Sequence, residues 1–259
     1  MAWRRSSILL LLALWCAGGS ARAEWTILSS EPQANGPAGV VHLMTKAQES
    51  ASGQRATLHF ALFSMKTATL RVIDDPSGSR LDLAATMQRE GCIAGVNGGY
   101  FDPDHAPVGL LISDGRLIAP QKKARLLSGV LSVANGRVVI QRAAEFSMKT
   151  RATAARQAGP FLVEAAKPVA SLNNVRAARR TFVATAPGDR AAIGYSSHVT
   201  LAQLGALLAT PGIAPDMKIQ RALNLDGGSS SGFWFDGEGE PFSIAEQKSV
   251  RDYIGVVAK

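Results

Sequence analysis

The stretch Arg221-Ala222-Leu223-Asn224-Leu225-Asp226-Gly227-Gly228-Ser229-Ser230-Ser231-Gly232 organises the reading of this chain. An apolar run ends in a lone carboxylate, and two glycines and three hydroxyls follow. Glycines let a backbone turn sharply and leave its N–H groups uncovered. A strand ending in Asp226 beside bare amides and hydroxyls suits an anionic or polyol ligand. A polar β-turn is the competing reading. A second stretch, Gly95-Val96-Asn97-Gly98-Gly99-Tyr100-Phe101-Asp102, has the same grammar: an apolar run, a polar residue, then paired glycines.

Working outward, most of the chain reads as strand. Residues 25–28, 40–44, 57–63, 68–73 and 92–96 are short apolar or β-branched runs. Residues 29–39 and 47–54 read as loops. Asp114-Gly115 and Asn135-Gly136 each sit between two such runs, the signature of tight hairpins. A further hairpin is expected across 181–195, and strands at 161–163, 233–235 and 252–257. Helical spacing marks residues 81–90, with Gly91 in the C′ position, and residues 201–209 behind Thr200 as N-cap. Residues 148–157 are weakly helical. The expected fold is α+β, a single domain of mixed or antiparallel β-sheet with several packed helices.

The N-terminus has its own logic. Arg4 and Arg5, an apolar run over 8–17, and Ala21-Arg22-Ala23 form a basic, a hydrophobic and a cleavage region. The run is short for a membrane span. Residues 1–23 are therefore expected to be a signal peptide cleaved after Ala23, delivering residues 24–259 to the periplasm or beyond with no stable membrane insertion. Bulky Trp15 before Cys16 argues against a lipoprotein signal. The formal net charge of +8 loses three arginines with that segment. The basic residues are scattered, so no nucleic-acid stripe is present. Cys92 is then the one remaining cysteine, without an intramolecular partner, and reads as a buried thiol.

Gly228-Ser229-Ser230-Ser231-Gly232 also fits G-x-S-x-G, the nucleophile elbow of α/β-hydrolases. That motif requires a helix after the serine and a histidine later in the chain. Here Phe233-Trp234-Phe235 reads as a strand, and His42, His59, His105 and His198 all precede Ser230. The match is coincidental.

Five segments taken together carry a more specific signal: residues 95–102, Pro107-Val108-Gly109, Ala158-Gly159-Pro160-Phe161-Leu162, Arg180-Thr181, and residues 224–231. In this order they resemble the phosphodiester glycosidase family, over a span from about residue 57 to the C-terminus. Its animal member removes N-acetylglucosamine from a sugar phosphodiester on lysosomal enzymes. Ser229 stands where the family often has a third glycine, and Tyr100 where it often has Phe.

The resemblance implies a sugar-1-phosphodiester substrate broken at the glycosidic C–O bond. Phosphate is a good leaving group, so the demand is for an anion cradle and one carboxylate. Asp226 is then the general base or stabilising carboxylate. Arg180 binds phosphate, and Asn97 orients sugar hydroxyls or phosphate oxygens. Gly98, Gly99, Gly227 and Gly228 offer amide donors, Ser230 and Ser231 hydroxyls, and Gly159 and Thr181 complete the substrate-binding set. Plainer readings stand beside these. Arg180 could pair with a surface acid, and Asn97 could cap a turn. Asp102-Pro103-Asp104-His105 fits a solvated turn better than a metal loop, His59 and Trp234 fit packing, and Glu164 a solvated strand end. His198 is open. No cofactor is expected, a divalent metal is left open, and the oligomeric state is not readable. Two rival functions remain: a non-catalytic protein that binds anionic glycan, and a phosphodiesterase that cuts P–O.

Overall fold

The computed structural model describes residues 24–76 and 82–259. The expected signal peptide, and Leu81 at the start of the expected helix, lie outside them. The strands in chain order are β1 (Trp25–Asn35), β2 (Val41–Glu49), β3 (Arg55–Ser64), β4 (Ala68–Asp74), β5 (Ala94–Asn97), β6 (Leu111–Ser113), β7 (Arg116–Ala119), β8 (Gly129–Ala134) and β9 (Arg137–Arg142). They continue with β10 (Ala154–Ala158), β11 (Phe161–Glu164), β12 (Lys167–Pro168), β13 (Ala178–Ala186), β14 (Arg190–Val199), β15 (Arg221–Asn224), β16 (Phe233–Phe235), β17 (Phe242–Ile244) and β18 (Asp252–Ala258). Two α-helices join them, α1 (Leu83–Arg89) and α2 (Leu201–Ala209).

Three sheets result, with orders β1-β2-β3-β14-β13-β15-β11-β12, β7-β6-β10-β8-β9 and β17-β16-β5-β18-β4. The fold is mostly β, 47% strand and 11% helix, and every sheet is antiparallel. The expectation of several packed helices is therefore corrected to two among the described residues. The decisive segment is 148–157. Its small, helix-compatible residues form a single 3₁₀ turn and then β10, which pairs with β6 on one side and β8 on the other. Two flanking ladders outweigh a weak local preference.

The first sheet is buried on both faces. Along β3, Leu58, Phe60 and Leu62 face α2, while Ala61 and Phe63 face the core shared by all three sheets. The period of two is that of a strand. α2 begins with a capping box in which Thr200 and Gln203 satisfy each other's backbone N–H. The Asp114-Gly115 and Asn135-Gly136 turns have positive φ at both residues, the geometry that suits the twist of a two-residue hairpin. Residues 29–35, expected as loop, extend β1 along the sheet edge. Pro32 is tolerated there because its strand is at the edge and bulges beside it. β17 is a strand that its sequence does not announce.

Phe233 and Phe235 enter the central core and Trp234 packs with Cys92, Met87 and Tyr253 on the opposite side. Trp234 is 2% exposed, so it fills space and offers no platform to a sugar. Burial pushes the Cys92 thiol up to about 12, which keeps it protonated.

His42 of β2 and His59 of β3 are both buried and share one hydrogen bond, His42 Nε2 to His59 Nδ1 at 3.0 Å. Phe242 of β17 lies against both rings, with centroids 4.7 and 4.9 Å away. Burial lowers both imidazoles to about 4, and for His42 the neighbouring His59 adds to the effect. The unfolded chain takes up protons near pH 6.5, while the folded pair resists until about pH 4. Stability is thus retained above pH 6.5 and lost as the pH falls toward 4. Stability in urea denaturation should fall by roughly 5 kcal/mol between pH 7 and 4.5, about half of it from each histidine. A His42→Leu, His59→Leu double variant should lose much of that dependence; an unchanged slope would assign it to carboxylates.

Candidate active site

Asp226 stands two residues beyond the end of β15 and is half-buried. Its two oxygens are each held by one local donor. Oδ1 accepts from the Gly227 N–H at 2.9 Å and Oδ2 from the Ser230 hydroxyl at 2.6 Å. Burial pushes the carboxyl above its ordinary value, with Ser230, the Lys248 ammonium and the Gly227 N–H pulling it back, and Asp252 adding to the rise. Each oxygen keeps a lone pair for a water or a sugar hydroxyl.

The backbone of Asp226 is clasped from behind. Asn97, at the end of β5, donates its amide to the Asp226 carbonyl at 2.7 Å and to the Gly98 carbonyl at 3.3 Å. Its Oδ1 accepts from Thr181 Oγ1 at 2.8 Å and from the Gly232 N–H at 3.3 Å. Thr181 Oγ1 also lies 3.1 Å from the Asp226 carbonyl. Both residues are buried and their polar atoms are spoken for. They position Asp226, and the structure gives Asn97 no free atom to turn toward sugar or phosphate.

Gly98 and Gly99 have a related job. Their N–H groups both donate to Asp252, Gly98 to its carbonyl at 2.7 Å and Gly99 to Oδ1 at 3.0 Å. A Cβ on Gly98 would lie 1.7 Å from Asp252 Oδ1, and one on Gly99 2.5 Å from the Arg156 guanidinium. These glycines allow close approach to a buried ion pair, so their amides are turned inward, away from any ligand. The Gly98 carbonyl meanwhile accepts the Asp226 N–H at 3.1 Å, tying the two glycine turns together.

Arg180, on β13, is half-buried. Its Nε donates to the Val199 carbonyl at 3.3 Å and its Nη2 to the Arg176 carbonyl at 2.8 Å. A Cβ on Gly227 would sit 3.2 Å from Nη1. No carboxylate lies within ion-pair distance of Arg180 among the described residues. Burial lowers its pKa, Tyr100 opposing and Arg176 reinforcing that shift. An arginine stays charged regardless, so this cation is oriented and unpaired. Gly228 has φ +68° with open space around its Cα, and the N–H groups of Gly228 and Ser229 meet no acceptor among the described residues.

Tyr100 completes the group, and its sequence neighbourhood shows it only as a variation on a motif. Its hydroxyl donates to the Gly159 carbonyl at 2.5 Å and accepts from Asn224 Nδ2 at 3.2 Å. Burial pushes the phenol up to about 12, with Asp226 adding to the rise and Asn224 and Arg180 opposing it. It is a neutral group that feels both the carboxylate and the cation. Gly159 contributes its carbonyl to this cluster, which Asn224 also reaches at 3.0 Å. Ser231 lies buried, its hydroxyl without a partner among the described residues.

Other candidates fall away from Asp226. Glu164 is ion-paired with Arg142. Asp102 accepts from the Ala106 N–H in an exposed turn. His198 is exposed, with its carbonyl bonded to Gln54. Among the described residues, no three His, Cys, Asp or Glu side chains cluster as a metal site would need.

The residues that sequence reasoning missed are Arg156 and Asp252. Both are fully buried. Arg156 Nε lies 3.0 and 3.1 Å from the two Asp252 oxygens, Nη1 donates to the carbonyls of Val108, Leu110 and Gln157, and Nη2 to that of Tyr100 at 2.6 Å. The available signal was a charge adjoining small or apolar residues, Arg156 after Ala154-Ala155 and Asp252, itself beside Arg251, before Tyr253-Ile254.

With this geometry in place, residues 90–257 match the phosphodiester glycosidase family, and the chain belongs to that family. Its fold is similar to three solved structures. The zebrafish N-acetylglucosamine-1-phosphodiester alpha-N-acetylglucosaminidase catalytic domain, auto-inhibited by its pro-peptide, superposes with a TM-score of 0.60 at 13% identity, covering 93% of this chain and 85% of that one. A hypothetical protein from Synechocystis gives 0.58 at 14% identity, over 92% and 68% of the two chains. A protein from Burkholderia pseudomallei gives 0.53 at 13% identity, over 80% and 75%. No curated protein matches the chain in sequence.

Arg156→Met should lower stability by about 3–5 kcal/mol, because Asp252 is left charged and buried. Adding Asp252→Leu should return part of that loss in urea denaturation. A double variant less stable than the single one would mean that Asp252 holds the fold through its glycine contacts alone.

Proposed function

We propose that the chain is an exported hydrolase that cleaves a sugar-1-phosphodiester at the anomeric C–O bond, acting on a glycan of the envelope or its surroundings. The observation that carries this reading is Asp226, a half-buried carboxylate with one fixed donor on each oxygen, beside an oriented arginine that no acid neutralises. Membership of the phosphodiester glycosidase family supports the reaction class. The apolar, basic-flanked N-terminus supports export.

In this mechanism Arg180 and the free N–H groups of Gly228 and Ser229 hold the phosphate oxygens. The bond between the anomeric carbon and the bridging oxygen breaks, and its electron pair stays with the phosphate. A water oxygen bonds to the anomeric carbon, and Asp226 takes the proton that water loses. Asn97 and Thr181 keep the carboxylate at its station. Ser230 holds one of its oxygens and serves as a hydrogen-bond donor to the carboxylate, not as a nucleophile. Tyr100, kept neutral, offers a polar wall between the carboxylate and Arg180.

Turnover of a panel of sugar-1-phosphodiesters in ¹⁸O-water tests this. Label should appear in the sugar, and Asp226→Asn should lower kcat/KM by about 10²–10⁴-fold. Arg180→Ala should lower it by roughly 10–100-fold, mainly through KM. Because burial raises the Asp226 pKa, activity should fall with acid at a pH above the ordinary aspartate value of about 3.9. Label in the phosphate would indicate P–O cleavage. Binding that survives Asp226→Asn, with no product from any substrate, would indicate a glycan-binding protein.

A further inference from the structure

Residues 245–252 form a strap across the 228–231 turn. On one side Ala245 O accepts from Arg179 Nη2 at 2.6 Å, Glu246 Oε1 accepts from the Leu83 N–H at 2.8 Å, and the Gln247 N–H donates to Ser229 O at 2.7 Å. On the other, Val250 is buried and Arg251 pairs with Asp74 at 2.7 Å. Lys248 sits exposed at the apex between these anchors. Its Nζ lies 4.7 Å from the centre of the Phe101 ring. Like Arg180, it has no carboxylate within ion-pair distance among the described residues.

We infer that Lys248 is a second anion-binding residue of this site, meeting the extra negative charge that the phosphate acquires as the sugar departs. The inference rests on the reading of the site as a sugar-phosphodiester hydrolase. A phosphodiester carries one negative charge. When the C–O bond breaks and the electron pair passes to the bridging oxygen, the departing monoester carries two. Arg180, fixed by backbone carbonyls beside Gly227, suits the charge present from the start. Lys248, stacked on Phe101 and carried by a strap whose neighbouring Gln247 is bonded to Ser229 of the Asp226 turn, brings a compact cation from a separate element, and it favours the charged form of Asp226. A donor fixed in advance where charge develops is worth more than one that must reorganise. His105 stands edge-on to the same Phe101 ring, and Glu246, two residues before Lys248, is bonded to the Leu83 N–H.

Calorimetric titration with methyl phosphate and dimethyl phosphate at one pH, 8 or about that, separates the two cations without turnover, since the first is then a dianion and the second a monoanion. Wild-type protein should bind the dianion about tenfold more tightly. Lys248→Ala should remove that preference and leave monoanion binding nearly intact, and Lys248→Arg should restore it. Arg180→Ala should weaken both ligands. His105→Asn should leave the preference in place. A preference that survives in Lys248→Ala, or is missing from the wild type, overturns the inference. If the preference behaves as expected while no sugar phosphodiester is turned over, the hydrolase reading fails and the second anion contact stands.

Discussion

The ion pair between Arg156 and Asp252 is the constraint on which the rest of the site is built. Arg156 belongs to the second sheet and Asp252 to the third, so their contact welds two sheets at a point that water does not reach. Removing two charges from water is expensive, and attraction between them repays it only when the remaining hydrogen-bonding groups are also satisfied. Here they are. The guanidinium reaches four carbonyls, and Asp252 takes the Gly99 N–H as well as the arginine. Such a pair tolerates little displacement of its surroundings. The Gly98-Gly99-Tyr100 loop is held on both its N–H and C=O groups, and its path is set to within the space of a missing Cβ.

From that loop the order passes to Asp226. The Gly98 carbonyl accepts the Asp226 N–H, and Asn97, one residue earlier, accepts from Thr181 and donates to the Asp226 carbonyl. Thr181 belongs to the first sheet. All three sheets therefore meet within a few residues of one carboxylate. This is a division of labour: polar side chains of the two motifs face inward and hold the backbone, while Asp226, Arg180 and the bare amides of the Gly228 turn face outward. A carboxylate carried on a turn would ordinarily share the mobility of that turn. Here the turn is fixed to three rigid sheets, as a precise site requires.

Much of the frame was legible in the sequence because its signals are local. The two Xaa-Gly hairpins, the cap of α2 and the apolar runs of β3, β4 and β18 are set by neighbours in the chain. β10 and the second half of β1 were not, because what makes them strands is a partner far away in sequence. The site shows the same limit. Asp226 and Arg180 could be singled out from the motifs that contain them. That Asn97 and Thr181 work behind the carboxylate, and that the Gly98 and Gly99 amides serve Asp252 more than 150 residues later, depends on direction, which spacing does not encode. Arg156 and Asp252 show in sequence only that they adjoin small or apolar residues; that they pair with each other is set by the packing of two sheets.

The electrostatics of Asp226 follow from where it stands. Burial works against its ionised form, and one hydroxyl, one amide and one ammonium work for it, with the balance still raised. A carboxylate in that condition is a better base than one exposed to water, and its donors limit how far burial raises it. The Ser230 hydroxyl and Gly227 amide are part of its own turn, so they cannot leave without it. The cations are different. Arg180 and Lys248 come from separate elements, β13 and the 245–252 strap, and neither has a carboxylate within ion-pair distance among the described residues. Two unpaired cations near one partly buried carboxylate leave a surplus of positive charge that only an anion from outside can balance. On the proposed reading, that surplus is the physical ground for a phosphate-bearing substrate over a neutral glycoside.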